Sequence, residues 1–205
     1  SGPYVAWDNN AIDHAIFSGA AGTVTLGAPI TAHGLTFNAS GFTLTGNTLT
    51  LAGSTPTIAV AGGTATVDST LAGTDGLTKD GGGTLVLNGA NTFSGDIAIN
   101  DGRITAGDDA ALGAAGNDIT TGAGAHVILD IRGDTDTART VTIGDGGQLQ
   151  LAGLSAGSAH ISGNGNVYIA SRDLVLSDDA NDYTGTTTFR GCNGVCTFYF
   201  TSIGN

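Results

Sequence analysis

Small polar and apolar residues alternate along this chain in short runs. They include TVTL (Thr23 to Leu26), FTLT (Phe42 to Thr45), TIAVAG (Thr57 to Gly62), TLVLNG (Thr84 to Gly89), HVILDI (His126 to Ile131), TVTIG (Thr140 to Gly144), QLQLAG (Gln148 to Gly153) and NVYIAS (Asn166 to Ser171). A period of two predicts strands with one buried and one wet face. In the first half successive runs begin roughly 7 to 10 residues apart, which suits a sandwich, a barrel or a solenoid. Two features favour the solenoid. The inward residues are medium aliphatics, as a core stacked like on like requires, and the turns repeatedly end in Gly or Asn, as corners with positive φ need. The expected fold is all-β: a parallel β-helix with three strands per rung, rungs of roughly 25 residues and about eight rungs. At about 4.8 Å per strand that makes a rod of roughly 40 Å.

An internal repeat supports this. LVLNGANTFSG (Leu85 to Gly95) returns as LVLSDDANDYTG (Leu174 to Gly185), one residue longer. Each copy reads as strand, corner, an aromatic packed at a bend, then the next strand. The added residue falls at a corner, Asp178-Asp179, where it lengthens a loop without slipping a strand's core face outward. The repeat-like units run over about 70–113 and 161–205 of a single solenoid segment spanning 1–205.

Composition sharpens the picture. The chain has 205 residues, 35 of them Gly, with 6 Lys plus Arg, no Met and 40% hydrophobic residues. Its 18 acidic residues are all Asp, giving a net charge of −12. Asp bonds its own backbone in turns, and several stand beside Gly (Asp80-Gly81, Asp101-Gly102, Asp145-Gly146), so most are expected at corners. With so few cations, nucleic acid and anionic membrane surfaces are poor partners. No run of about 18 apolar residues would cross a bilayer, and no signal peptide is visible at Ser1. The chain reads as a segment of something longer.

The stretch from Thr70 to Gly113 resembles the passenger-associated transport repeat of bacterial autotransporters. Gly76, Leu77, Lys79, Gly81, Gly83, Thr84, Leu85, Leu87, Gly89, Asn91, Phe93, Ser94 and Gly95 occupy that repeat's signature positions, and Lys79 is the chain's only Lys. The second copy keeps the aromatic-hydroxyl-Gly core but lacks the Lys and the Gly-Thr-Leu entry. The resemblance implies a right-handed parallel β-helix exported across the outer membrane to the bacterial cell surface. The family's membrane barrel and signal peptide would lie outside this segment.

Cys192 and Cys196 flank Asn-Gly, a turn that could bring them within bonding distance. The oxidising compartment implied by the family points to a disulfide, with a free thiol pair as the rival. No further ligands complete a zinc site. Arg132-Gly133-Asp134 spells the tripeptide read by integrins, although a Gly-Asp turn after a strand needs no function. Gly107-Asp108-Asp109 and Ala32-His33-Gly34 look superficially like pectin-hydrolase motifs, but in reversed order. Asp108 and Asp109 could serve as acid and base only in a cleft holding a sugar between them. His14, His33, His126 and His160 lack an activated-serine context. No calcium-roll pattern recurs in tandem, and the Thr-x-Thr pairs are too irregularly spaced for an ice-binding face.

The function expected from these residues and the resemblance is a non-catalytic, cofactor-free stalk with an adhesive role. It would present loops to a receptor or glycan that the sequence does not name, or to sister molecules. A polysaccharide-degrading enzyme and a purely mechanical spacer are the competing readings.

Overall fold

The computed structural model describes residues 7–131, 139–152, 159–170, 175–176, 181–189 and 199–200. The chain winds as a β-solenoid in which every strand pair is parallel. The first face is an eight-stranded sheet running from His14–Phe17 through Gly34–Phe37, Thr57–Val60, Leu77–Asp80, Ile97–Ile99, Ile119–Thr121 and Thr140–Ile143 to His160–Gly163. The second is nine-stranded, from Thr23–Leu26 through Thr84–Leu87, Gly102–Ala106, His126–Ile131, Gln148–Ala152 and Asn166–Ile169 to Thr187–Phe189. A third face carries Ile30–Ala32, Leu49–Leu51 and Leu71–Ala72, and Val175–Leu176 pairs separately with Tyr199–Phe200. The eight strands of the first face match the expected number of rungs.

Coils are shorter than the expected rung. Paired residues lie 20 apart at His14 and Gly34, 23 at Gly34 and Thr57, 18 at Gln148 and Asn166, and 25 only at Arg103 and Ile128. The corners absorb the variation. Among the described residues the third-side sheet ends at Leu71–Ala72, and coils with and without a strand there are of similar length; the longest holds the one 3-10 turn, Asp109–Leu112.

The inward residues form columns, each member stacked on its ladder partner. On the second face Ala65, Leu85, Ile104, Leu129, Leu151 and Ile169 are consecutive partners and all buried. Burying each large aliphatic contributes about 1.5–3 kcal/mol. Aromatics enter the stack at its start, where the Phe17 and Phe37 rings lie 4.5 Å apart and Phe42 tilts against both.

The corners use Asp and Asn as the composition suggested. Asn88 donates to the Asp68 carboxylate (2.9 Å) and Asn100 to that of Asp80 (2.7 Å), each one coil away. Asp96 accepts from the amide of Asp118, which in turn accepts from the amide of Thr140. These side chains carry the hydrogen-bond ladder around bends where the backbone cannot continue it.

Candidate functional surface

Lys79 is fully buried on the inward side of its strand, stacked between Ile58 and Ile99. Its ammonium reaches the corner and donates to the carbonyls of Asp80 (2.8 Å), Gly81 (2.6 Å) and Asp101 (3.2 Å). Two successive coils are thereby tied at one corner. Desolvation lowers its pKa from 10.5 to about 8, opposed by the carboxylates of Asp101 and Asp80. Lys79 therefore stays a cation at neutral pH. Its place in the signature is that of a corner clamp.

Asn91 does similar work on the third side. Its carboxamide oxygen accepts from the Leu71 amide (2.7 Å) in the coil below, and its nitrogen donates to the Ala111 carbonyl (2.6 Å) in the coil above. Phe93 packs beside it, wholly buried. In the second copy the same residue types sit over the first face instead: Asn181 accepts from the Ile161 amide (2.6 Å), and Tyr183 is wholly buried with its hydroxyl against that of Thr187. The aromatic at a bend, expected from the repeated sequence, is present in both copies.

The signature glycines mark close coil contacts. Gly76 has φ +76°, and a Cβ there would lie 2.4 Å from the Asp96 carbonyl. Gly81 has the same φ, with the Val60 carbonyl 2.4 Å away. Leu77, Leu85 and Leu87 are buried, Thr84 faces outward, and Gly83, Gly89, Ser94 and Gly95 complete the turns between them.

Sequence reading missed two ion pairs. Arg139 is 1% exposed and makes six hydrogen bonds: two to the Asp109 carboxylate and four to the carbonyls of Asp109, Gly113, Ala114 and Asn117. Arg103 contacts Asp130 at 2.6 Å on the outer side of the second face. Nothing in the local pattern marks either Arg, because each partner is brought near by the winding.

These contacts also settle where Asp108 and Asp109 act. Asp108 caps the 3-10 turn, accepting from the Ala111 amide (3.0 Å), and Asp109 is held by Arg139. His33 contacts the Ala52 carbonyl, His14 contacts Thr36 and His160 approaches Asp182, while His126 is exposed. No group of three metal-ligating side chains occurs among the described residues. Cys192, Cys196, Arg132, Gly133, Asp134 and the Asp178-Asp179 corner lie outside the described residues.

The two long faces differ. Along the first, Thr57, Thr78, Ala98, Thr120, Thr142 and Ser162 are successive ladder partners pointing outward, an uncharged stripe of small side chains. The Thr-x-Thr residues, irregular in sequence, are partly in register: Thr23 partners Thr43, which partners Thr66. Unequal coil lengths are absorbed at corners. Along the second face one outward column begins with Thr64 and Thr84, then turns to larger groups, Arg103, Ile128, Gln150 and Tyr168.

The model of the passenger-associated-transport-repeat family matches residues 77–106 and 173–191. These stretches contain the Lys79 clamp, the Asn91 and Phe93 station, and its second copy at Asn181 and Tyr183. The chain carries this repeat twice. Similarity extends beyond the repeats: the adhesin BmaC autotransporter of Brucella suis biovar 1 (strain 1330) is 51% identical over all 205 residues. The chain spans 6% of that protein's length. No solved structure matches it. In this chain the repeat's signature is a set of coil-to-coil ties: a clamp at Lys79, a bridge at Asn91 and close backbone approaches at Gly76 and Gly81. No helix among the described residues is long and apolar enough to cross a membrane.

Proposed function

We propose that this chain is a stiff, surface-displayed, non-catalytic passenger segment whose long faces mediate adhesion and self-association. The observation that carries the reading is the outward stripe from Thr57 to Ser162, six successive coils without a charge. Such a stripe can lie against a copy of itself, exchanging hydroxyl hydrogen bonds, with the carboxylates of Asp80, Asp96 and Asp118 along its edges. The net charge of −12 opposes that approach at low salt, and screening permits it. The adhesin named among the relatives supports the role, and its autotransporter class supports export to the cell surface.

Catalysis on polysaccharide is disfavoured by the engagement of Asp108 and Asp109 in a cap and an ion pair. The test is display of the segment on non-adherent bacteria, beside an Asp134→Glu version. Clumping that rises with salt and is indifferent to Asp134→Glu is the expected result. Binding to mammalian cells that vanishes with Asp134→Glu would move the adhesive site to the Arg-Gly-Asp tripeptide. Absence of all adhesion would leave a mechanical spacer.

A further inference from the structure

The second face carries a groove of ≈ 200 Å³ lined by His126, Val127, Ile128, Gln148, Gln150 and Tyr168. Three adjoining coils build it. Ile128, Gln150 and Tyr168 are consecutive partners in one outward column; His126 partners Gln148 in the next, with Asn166 beyond. Reading up the first column, an apolar side chain, a planar amide and an aromatic follow at coil-to-coil steps of about 4.8 Å. Reading across, a second amide stands two residues along the strand from the first, on the same side of the sheet.

We infer that this groove binds an extended neutral oligosaccharide. Its chemistry is matched to sugars in three respects. Gln148 and Gln150 each offer a donor and an acceptor from one rigid plane, which suits adjacent hydroxyls of a pyranose that are themselves both donors and acceptors. Ile128 and the Tyr168 ring supply apolar surface on either side of Gln150, which suits the C–H faces of the sugar rings. Small-molecule sites combine apolar walls with a few placed polar groups in this way.

The ligand's charge follows from what surrounds the groove. His126 is the only titratable imidazole in the lining, and neither Lys nor Arg is part of it. Arg103, the next cation along the column, is already held by Asp130. With a net charge of −12 behind it, the face repels sulfated or sialylated chains. The direction is also set: a chain of sugars running along the solenoid axis meets a new side chain of the column at each coil. The backbone ladder that spaces these side chains is in place before binding, so only the side chains need ordering on the protein's side.

This inference rests on the adhesive reading but is tested apart from it. Purified chain is titrated by saturation-transfer NMR with chitotriose and N-acetyllactosamine, and with a heparin fragment as the anionic control. The wild type, Gln150→Ala and Tyr168→Ala are compared, all first shown to keep the wild-type far-ultraviolet spectrum. The expected result is transfer to the neutral sugars, weakened at least fivefold by each substitution, with none to heparin. Preference for heparin, absence of transfer, or transfer unaltered by both substitutions would overturn it. Cell adhesion by the displayed segment is scored separately. Loss of sugar binding with adhesion intact removes the groove alone, and sugar binding without any adhesion removes the adhesive role.

Discussion

Arg139 grips Asp109 with two prongs, Nε to Oδ1 at 2.8 Å and Nη2 to Oδ2 at 3.0 Å, although the residues stand thirty apart in sequence. The guanidinium's remaining donors go to backbone carbonyls of the turn that follows Asp109. One buried side chain thus ties these coils together.

Removing it takes the donor from a carboxylate and from the carbonyls of Asp109, Gly113 and Asn117, while that of Ala114 keeps the Asn117 amide. Arg139→Ala is expected to destabilise the solenoid by about 3–5 kcal/mol. Arg139→Lys should recover little of this, because a single ammonium cannot reproduce the planar fork. Equilibrium urea unfolding checks both. A Lys variant as stable as the wild type would show that charge alone, without the fork, suffices.

Lys79 makes stability depend on pH in a predictable direction. Its folded pKa, about 8, is below the unfolded value of 10.5. Below about pH 8 both states hold the proton and the desolvation penalty is present in full. Between about 8 and 10.5 the folded state releases its proton first, so the unfolded state binds more protons and stability rises with pH. The melting temperature of the wild type minus that of Lys79→Met should therefore climb across this window. A flat or falling difference would contradict the assignment.

Asn91 links an amide below it to a carbonyl above it, so Asn91→Ala strands two buried polar groups. The expected loss is about 2–4 kcal/mol, from one to two for each unsatisfied group. Asn91→Asp keeps the acceptor for the Leu71 amide and removes the donor to Ala111. Hydrogen exchange at Leu71 should accelerate in the Ala variant and much less in the Asp variant. Equal acceleration in both would disprove the bridge.

Phe93 and Tyr183 hold the matching position of the two sequence copies, one on the third side and one over the first face, and both are wholly buried. Phe93→Ala should cost about 3–5 kcal/mol through the cavity left behind. Tyr183→Phe loses only the hydroxyl's bond to Thr187, on the order of 1 kcal/mol. Thermal unfolding of the pair decides whether both rings are core residues. A Phe93→Ala protein as stable as wild type would show that the bend collapses without strain.

Much of this was legible in the chain. His126–Ile131 and Thr23–Leu26 have the bounds that their alternation predicted, and Leu85, Leu87 and Phe93 are buried as their pattern required. The short strand Leu71–Ala72 and the clamped strand Leu77–Asp80 were harder. The first holds too few residues to show a period, and the second places a Lys on its inward side. The groove was not legible at all. His126, Gln148, Gln150 and Tyr168 read as ordinary outward strand positions, and only the register brings them together.

By itself, then, the sequence determined the local terms: strands from a period of two, corners from Gly, Asn and Asp, and a core of stacked aliphatics. Those properties depend on residues a few positions apart, which share a strand face or a turn. The tertiary structure alone decided which residues meet across coils, among them Arg139 with Asp109, Lys79 with the Asp101 carbonyl, and Gln150 with Tyr168. Each such meeting depends on the summed length of a whole coil. Coils here run from 18 to 25 residues because the corners, which no periodicity constrains, absorb the difference.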